Sequence, residues 1–254
     1  MDLQLNGLRA LVTGGTRGIG RAIVDVLVDE GAAVSFCART ESEVAAQADE
    51  LRNAGHRVVG YPVDVAADDQ ALHRWVDASA AELGGVDVVV ANVSALAIPD
   101  EEANWKASFD VDMMGTVRSV QAALPHLERS ANPAIVTLPS VSGREIDFAA
   151  GPYGSVKAAI VHYTQGIANQ FAAQGIRANS VSPGNVYFEG GVWGNAEQNS
   201  PEFFSHALSL NPTGRMAAPA EVARAVAFLA SPAASFITGT NLLVDGALTR
   251  GVQL

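Results

Sequence analysis

The sequence contains one cysteine, few charged residues and an excess of negative charge. Cys37, within the apolar run AAVSFCA, has no second thiol with which to form an internal disulfide and is predicted to lie in the core. Sixteen Lys and Arg against 27 Asp and Glu give a net charge of −11. This balance argues against a sequence-independent nucleic-acid surface, because such surfaces cluster positive charge. Hydrophobic residues make up 48% of the chain, which is enough for a substantial core.

Leader segments and long apolar runs are also lacking. The N-terminal residues do not combine a basic start, an apolar stretch and a small-residue cleavage site, as a signal peptide does. No apolar run approaches the ~18 residues needed to span a bilayer. The five His residues are scattered without metal-ligand spacing, so no metal site is predicted. We expect a soluble, cytoplasmic protein.

What the chain does contain is a regular alternation of short apolar, β-branched segments with longer helical patterns. The predicted strands cover residues 8–13, 32–38, 57–65, 86–92, 133–139, 176–182 and 241–247, and the predicted helices cover 18–30, 41–55, 68–83, 105–127, 152–173 and 219–230. Apolar strands separated by crossover helices are typical of a parallel sheet covered on both faces. The sequence therefore predicts a single α/β domain over residues 1–254. We expect a Rossmann-type, doubly wound seven-stranded parallel sheet with its ligand at the carboxyl ends of the strands.

One segment, residues 186–211, interrupts this regularity. It is rich in Gly, Asn and aromatic residues, and a connection of this length is more typical of a substrate lid than of a plain loop. Its aromatic side chains predict an apolar cover for a substrate; the alternative is a small core beneath a loop. These side chains are Tyr187, Phe188, Trp193, Phe203 and Phe204.

A glycine-rich loop, TGGTRGIG at residues 13–20, joins the first predicted strand to the first predicted helix. Its glycines permit a tight turn and close approach of a ligand to the backbone, and the helix N-terminus offers free N–H groups to a pyrophosphate. The loop therefore predicts a dinucleotide site. The residues assigned to it are Gly14, Thr16, Arg17, Gly18, Ile19 and Gly20.

The residues after the second predicted strand indicate which dinucleotide binds. An NAD site usually has an acidic residue there, but this segment reads CART, with Ala38 and Arg39. Arg39 and Arg17 are suited to bind a 2′-phosphate, which favours NADP(H). The alternative for each arginine is a solvated surface side chain. Asp64, after the third predicted strand, is expected either to contact the adenine amino group or to begin the next helix.

Tyr153 and Lys157 lie four residues apart in the predicted helix that Pro152 begins, so they share one face of it. An arbitrary pair of this kind is typically a half-exposed phenol and a solvated ammonium group. A cation about 4 Å from a phenol, however, stabilises the phenolate by roughly 4 kcal/mol at an effective dielectric constant of about 20. Such a pair can give a proton to a carbonyl oxygen or take one from an alcohol.

Several motifs together resemble the short-chain dehydrogenase/reductase family over about residues 5–246: TGGTRGIG, DV at 64–65, VVVANVS, IVTLPSVSG, YGSVK, VSPGNV and ITGTNLLVDGA. The resemblance implies a nicotinamide-dependent oxidoreductase in which Ser140, Tyr153 and Lys157 are catalytic. It also implies that Tyr153 and Lys157 contact the cofactor, Lys157 at the nicotinamide ribose. Further implied cofactor contacts are Val65, Asn92, Pro183, Gly184 and Val186. Family members are mostly tetramers or dimers, so we expect a homotetramer, with a dimer as the second possibility.

Three positions depart from the family's usual pattern. Ser94 replaces a glycine after the fourth predicted strand, which is expected to alter loop packing. Phe188 stands where a threonine often meets the nicotinamide carboxamide. Asp112 occupies the place of an asparagine that holds a water leading to the lysine, and we assign it to the catalytic set. The alternative is a merely structural helix residue.

These observations predict an NADP(H)-dependent oxidoreductase that interconverts a carbonyl and a secondary alcohol on a mainly apolar or acyl-type substrate. One alternative is a catalytically weak NADP(H)-binding sensor or scaffold protein, against which the intact Ser140, Tyr153 and Lys157 argue. Another is an NAD-dependent alcohol dehydrogenase of the same fold, against which the missing acid at Ala38 argues. Neither a nucleic acid nor a membrane is expected as a partner.

Overall fold

Seven parallel strands form one sheet at the centre of the protein. The computed structural model describes residues 2–251, so that residue 1 and residues 252–254 of the predicted domain lie outside the described residues. The strands are β1 (Arg9–Thr13), β2 (Ala33–Ala38), β3 (Val58–Pro62), β4 (Val88–Ala91), β5 (Ala134–Thr137), β6 (Arg177–Pro183) and β7 (Asn241–Val244). Their order is β3-β2-β1-β4-β5-β6-β7, and every neighbouring pair is parallel. The predicted doubly wound sheet is confirmed.

Helices cover both faces of this sheet. Within the described range the α-helices are α1 (Gly18–Asp29), α2 (Glu41–Asn53), α3 (Ala71–Leu83), α4 (Glu102–Ala107), α5 (Met114–Leu127), α6 (Pro152–Phe171), α7 (Val192–Asn199), α8 (Pro201–Ser209) and α9 (Pro219–Ala230). Side chains of α1, α2 and α9 pack on one face, and those of α3, α5 and α6 pack on the other. Every residue of β4 and β5 is buried, which explains their continuous apolar sequences.

The predicted helix over residues 105–127 is not one regular α-helix. It begins earlier, as α4, passes through a π-helical segment at Ser108–Met113, and continues as α5. A π-helical turn inserts a residue into the α-helical pattern and often marks a functional site. Here the segment carries Asp112, whose side chain is 1% exposed.

The predicted lid region contains two short helices. The sequence predicted an irregular segment over residues 186–211, whereas α7 and α8 occupy most of it. Trp193 and Ala196 of α7 and Ala207 of α8 form a small core of their own together with Met216. Pro201, at the first position of α8, separates the two helices by allowing a new helix to begin there.

An ion pair between Arg9 and Asp87 joins β1 to β4 at the amino ends of these strands. Arg9 Nε and Nη2 each donate to the Asp87 carboxylate at 2.7 Å, and Ser130 Oγ donates to it at 2.6 Å. Burial raises the pKa of the Asp87 carboxyl, but the hydrogen bonds from Arg9 and Ser130 outweigh burial and the net pKa is lowered. The pair therefore stabilises the two central strands in its ionised form.

We expect Asp87→Asn to lower the free energy of unfolding by about 1–3 kcal/mol, because Arg9 and Ser130 lose a buried, charged acceptor. Since folding lowers the pKa of Asp87, its contribution is present at neutral pH. That contribution is lost as the pH falls below about 4, through the folded-state pKa. Urea denaturation of both proteins between about pH 7 and pH 3 measures the difference.

The matched control for this prediction is Asp68→Asn, which removes an exposed pair with Arg74. Exposed pairs contribute little, so the control is expected to unfold like the parent protein. A destabilisation by Asp87→Asn that does not shrink at acid pH would contradict the role given to the ionised carboxyl.

Candidate active site

A cleft of about 600 Å³ lies at the carboxyl ends of the strands and runs from the glycine-rich loop to α7. Most residues that the sequence assigned to a site line this cleft: Gly14, Thr16, Arg17, Ile19, Gly20, Arg39, Asp64, Val65, Asn92, Ser140, Tyr153, Lys157, Pro183, Gly184 and Val186. Gly18 and Asp112 stand behind its wall. Gly18 packs against Phe188, and Asp112 contacts Lys157. Phe188 and Lys157 themselves line the cleft. The structure thus brings the assigned residues together in one place.

The glycine-rich loop forms a close-fitting cradle. Gly14 and Gly18 have φ of +68° and +55°, a region that favours glycine. A Cβ on Gly20 would lie 1.9 Å from the Gly14 carbonyl oxygen. Asn92 Nδ2 donates to the carbonyl oxygens of Thr13 at 3.0 Å and Gly14 at 3.2 Å, which ties the loop to the end of β4. The bare backbone at the start of α1 fits a pyrophosphate group.

Charges of both signs stand at the nucleotide end of the cleft. Arg17 and Arg39 are exposed and line it, and within residues 2–251 neither forms an ion pair. Glu43, which the sequence analysis overlooked, also lines this end and accepts a long hydrogen bond of 3.4 Å from Thr16 Oγ1. Asp64 Oδ1 accepts from the Ala66 N–H at 3.0 Å, so that Asp64 both shapes a turn and faces the cleft.

Tyr153, Lys157 and Ser140 meet in the middle of the cleft. Pro152 begins α6 and places Tyr153 in its first turn. Lys157 Nζ lies 5.4 Å from the centroid of the Tyr153 ring and donates to the Leu138 carbonyl oxygen at 3.0 Å. Ser140 is 8% exposed and precedes a single helical turn at Val141–Gly143. The phenol, the ammonium group and the hydroxyl line one space.

Asp112 contacts Lys157 directly. Its Oδ1 lies 3.0 Å from Lys157 Nζ, and the two side chains are 1% and 2% exposed. The sequence left open whether Asp112 holds a water as the family's asparagine does, and in the structure its carboxylate forms an ion pair with the lysine. Burial lowers the pKa of Lys157, but Asp112 and Tyr153 raise it by more, so the net pKa is raised and the lysine carries its charge throughout the neutral range.

Ser94 completes the ion pair. Its Oγ donates to Asp112 Oδ1 at 2.6 Å, and the Ala95 N–H donates to Oδ2 at 2.8 Å. The sequence analysis expected Ser94 to affect only loop packing and missed this contact. One signal for this contact was present in the sequence, because positions 94 and 112 both depart from the family's usual pattern.

Phe188 fills the space between the glycine-rich loop and the start of α7. A Cβ on Gly18 would lie 2.5 Å from the tip of the Phe188 ring, and one on Gly191 would lie 2.7 Å from the same ring. Both glycines are therefore needed to accommodate the phenyl group. This position offers apolar packing to a ligand, and a phenyl ring has no hydroxyl with which to replace that of a threonine.

Phe148 and Trp193 line the cleft beside α7 and form an aromatic wall, and Phe203 packs against both rings without lining the cleft. Phe148 lies edge-on to Trp193 and to Phe203, each with ring centroids 5.5 Å apart, and Trp193 lies 5.5 Å from Phe203. The sequence analysis named Trp193 and Phe203 but missed Phe148, which comes from the loop before α6. Tyr187 and Phe204 form a separate pair at 6.1 Å, and Phe204 packs on the small core of the lid helices. Trp193 belongs both to this wall and to the small core of the lid helices, and a role of the aromatic residues as a substrate cover stays a prediction.

Two other kinds of site receive no support from the described residues. Residues 2–251 contain no group of three or more His, Cys, Asp and Glu side chains that is placed to hold a metal ion. No helix in the same range is long and apolar enough to cross a bilayer.

Cys37 is fully buried, as predicted, and burial raises the pKa of its thiol to about 12.

Comparison with known proteins agrees with this geometry. A family model described as enoyl-(acyl carrier protein) reductase matches residues 14–249. Isoepoxydon dehydrogenase of Penicillium expansum is 41% identical over 98% of this chain and 97% of its own. Cis-4-hydroxycyclohexanecarboxylate dehydrogenase of Sinomonas cyclohexanicum is 36% identical over 94% of this chain and 96% of its own.

Solved structures show the same relationship. The NADPH-bound structure of a Pseudomonas aeruginosa short-chain oxidoreductase containing an atypical catalytic center superposes with a TM-score of 0.87 at 30% identity, over 96% of this chain and 98% of that one. A mutant short-chain dehydrogenase/reductase of Serratia marcescens superposes with a TM-score of 0.88 at 30% identity, over 97% of this chain and 100% of that one. The chain belongs to the short-chain dehydrogenase/reductase family, oxidoreductases that transfer hydride between a nicotinamide cofactor and a carbonyl or alcohol.

Proposed function

We propose that the protein is an NADP(H)-dependent oxidoreductase that interconverts a carbonyl and a secondary alcohol on a mainly apolar or acyl-type substrate. The observation that carries this proposal is the arrangement in one cleft of Ser140, Tyr153 and the buried Lys157, between a phosphate cradle and an aromatic wall. A substrate held there has an apolar surface on one side and proton-transfer groups on the other. The lid is assigned to residues 186–211 and the catalytic domain to the whole chain.

In the proposed mechanism, the bound nicotinamide supplies the hydride that reduces the carbonyl carbon. Tyr153 Oη donates a proton to the carbonyl oxygen, and Ser140 Oγ donates a hydrogen bond to the same oxygen and polarises the carbonyl bond. Lys157 stabilises the negative charge that Tyr153 acquires when it gives up its proton. In the direction of oxidation, Tyr153 takes the proton from the alcohol.

Asp112 is proposed to position Lys157 and to moderate its effect. A carboxylate 3.0 Å from Lys157 Nζ opposes the field that the ammonium group exerts on Tyr153. The hydrogen bonds from Ser94 and Ala95 keep the carboxylate in this orientation. The lysine is thereby held on the Tyr153 side of α6 without being free to move into solvent.

The preference for NADP(H) is proposed from Arg17 and Arg39, which line the nucleotide end of the cleft and have no ion-pair partner within residues 2–251. A guanidinium group binds a phosphate through two parallel hydrogen bonds. Glu43, at the same end, works against a 2′-phosphate and favours the competing assignment, which is NAD(H). One structural relative was solved with NADPH.

Ring-shaped substrates are favoured by the aromatic wall and by the relatives. The rings of Phe148 and Trp193 provide flat apolar surfaces in the cleft, and Phe203 packs against both from outside it. One relative is named for isoepoxydon and another for cis-4-hydroxycyclohexanecarboxylate, a hydroxylated carbocycle.

A homotetramer is proposed from the sequence resemblance, and a cytoplasmic location stays a separate proposal. Features of the surface support the assembly. Helix α6 leaves Ala158 and Ala159 exposed, and small side chains permit close helix–helix contact. The edge strand β7 leaves Leu242 36% exposed, and Phe236 before it is fully exposed.

Tyr153→Phe removes the transferable proton and keeps the ring. We expect turnover to fall by about 10²–10⁴-fold, the loss typical of general acid–base catalysis. Affinity for NADPH is expected to change little, because the glycine-rich loop and the arginines hold the phosphates. Consumption of NADPH with a panel of ketones, together with calorimetric titration of NADPH, measures both quantities.

The control is Tyr163→Phe, which makes the same substitution in the same helix, at a ring that packs in the core on that face of the sheet. It is expected to retain turnover. Near-normal turnover of Tyr153→Phe on an accepted ketone would refute the mechanism.

Asp112→Asn is expected to lower the stability of the protein without lowering its turnover. Removing the carboxylate leaves the charge of Lys157 buried without its partner, so the melting temperature is expected to fall. The same change removes the opposing field at Tyr153, so turnover in alcohol oxidation at neutral pH is expected to stay level or rise. Thermal unfolding and initial rates test the two effects. A steep loss of turnover in a folded variant would show that the carboxylate itself is required.

Arg39→Ala is expected to weaken NADPH binding at least tenfold, equivalent to about 1.4 kcal/mol, while leaving NADH binding unchanged. Glu43→Gln should shift NADPH affinity in the opposite direction, because it removes a negative charge from the same end of the cleft. Arg52→Ala, on α2 and outside the cleft, is the control. Calorimetric titration of each variant with both cofactors measures these affinities. Equal affinities of the parent protein for NADPH and NADH would contradict the proposed preference for NADP(H).

A further inference from the structure

A carboxylate and a hydroxyl in the cleft have no role in the proposed mechanism. Asp147 and Ser142 line the same end of the cleft as the aromatic wall, close to Ser140. The other acidic residues that line the cleft, Glu43 and Asp64, stand at its nucleotide end. Asp147 is therefore the acidic group that a substrate meets, among the described residues.

Hydrogen bonds link Asp147 to the catalytic centre. Asp147 Oδ2 accepts from Ser142 Oγ at 2.6 Å, and Ser142 Oγ lies 3.3 Å from Ser140 Oγ. These two distances together place the carboxylate oxygen within 5.9 Å of Ser140 Oγ. A substrate whose carbonyl oxygen accepts from Ser140 thus has its neighbouring ring atoms within reach of Asp147.

The carboxylate is held in place before a substrate arrives. Asp147 Oδ1 accepts from the Ala149 N–H at 2.8 Å, which fixes the side chain against its own loop. Two residues earlier, Glu145 Oε1 accepts from the N–H groups of Arg250 and Gly251 at 2.9 and 3.1 Å. The C-terminal segment of the described chain thereby anchors the loop, so Asp147 loses little freedom when it binds a ligand.

Asp147 has unused capacity as an acceptor. A carboxylate offers about four lone-pair sites, and two hydrogen bonds reach Asp147 from within the described chain. No Lys or Arg in residues 2–251 forms an ion pair with it, although the side chain is half-buried. A half-buried carboxylate with open acceptor sites can accept hydrogen bonds from the hydroxyl groups of a ligand.

The aromatic wall gives the pocket an apolar surface beside Asp147. Phe148 directly follows Asp147 in the chain and packs on Trp193. The pocket therefore offers one rigid apolar surface and one rigid acceptor, both beside the groups that transfer the proton. A 3-oxoacyl chain has no donor for Asp147, and an anionic group placed there would be repelled by the carboxylate.

We propose that the substrates are cyclic hydroxyketones and the corresponding diols, whose second hydroxyl group donates to Asp147 and is oriented by Ser142. The inference depends on the proposed function, since it names the substrate class of the same cleft. The hydroxyl fixes the ring so that its carbonyl oxygen faces Ser140 and Tyr153, and the hydrocarbon edge of the ring lies on Phe148 and Trp193.

The test compares cyclohexanone with 3-hydroxycyclohexanone and 4-hydroxycyclohexanone as substrates for reduction by NADPH. We expect kcat/KM of the parent protein to be at least tenfold higher for one of the hydroxyketones than for cyclohexanone. Asp147→Asn should lower this ratio at least tenfold and Ser142→Ala should lower it to a smaller extent. Asp77→Asn, at an exposed carboxylate of α3 outside the cleft, should keep the parent ratio.

The outcomes separate the two proposals. Reduction of all three ketones at similar kcat/KM would overturn the hydroxyketone assignment and leave the oxidoreductase function standing. An unchanged ratio in Asp147→Asn, with a melting temperature near that of the parent, would overturn the role of Asp147. Reduction of none of the three ketones, with NADPH shown by calorimetry to bind, would overturn this inference, and failure of the wider ketone panel as well would overturn the proposed function.

Discussion

The buried ion pair between Lys157 and Asp112 is the interaction around which the site is built. Two charges removed from water lose several kcal/mol of hydration each, and only good geometry and further hydrogen bonds offset that cost. Here those hydrogen bonds come from two separate parts of the chain. Ser94 and Ala95 donate to the carboxylate from the loop after β4, and Lys157 donates to Leu138 after β5. The pair thus connects α6 and the π-helical segment to the ends of β4 and β5, and it sets where the lysine stands relative to Tyr153.

The fold and the main features of the site could be predicted from the sequence because their signals are local. Alternating apolar and helical segments predict the parallel sheet, and the loop between β1 and α1 carries its glycines within eight residues. Tyr153 and Lys157 are four residues apart on one helix, so their proximity follows from helix geometry alone. None of these inferences needs contacts between distant parts of the chain.

What the sequence could not show depends on tertiary contacts. A π-helical turn has almost the same apolar pattern as an α-helix, so the break at Ser108–Met113 was not visible. The estimate of the lysine's effect on Tyr153 treated the ammonium group as unpaired, because the partner carboxylate lies 45 residues away in the chain. Asp147 and Phe148 come from an irregular loop with no motif, and only the packing against Trp193 reveals the wall that they form. Glu43 is likewise one of several acidic residues at the start of α2 until the structure places it in the cleft.

The position of the Arg9–Asp87 pair separates one contribution to stability from the loops that bind a ligand. It holds β1 against β4 at the amino ends of the strands, whereas the cleft is built from the loops at their carboxyl ends. Each central strand is about five residues long, so the two regions are separated by a complete layer of buried backbone. The contribution of this pair to stability is therefore separate from the residues that line the cleft. Substitutions in the loops that form the cleft leave the contacts between Arg9 and Asp87 intact.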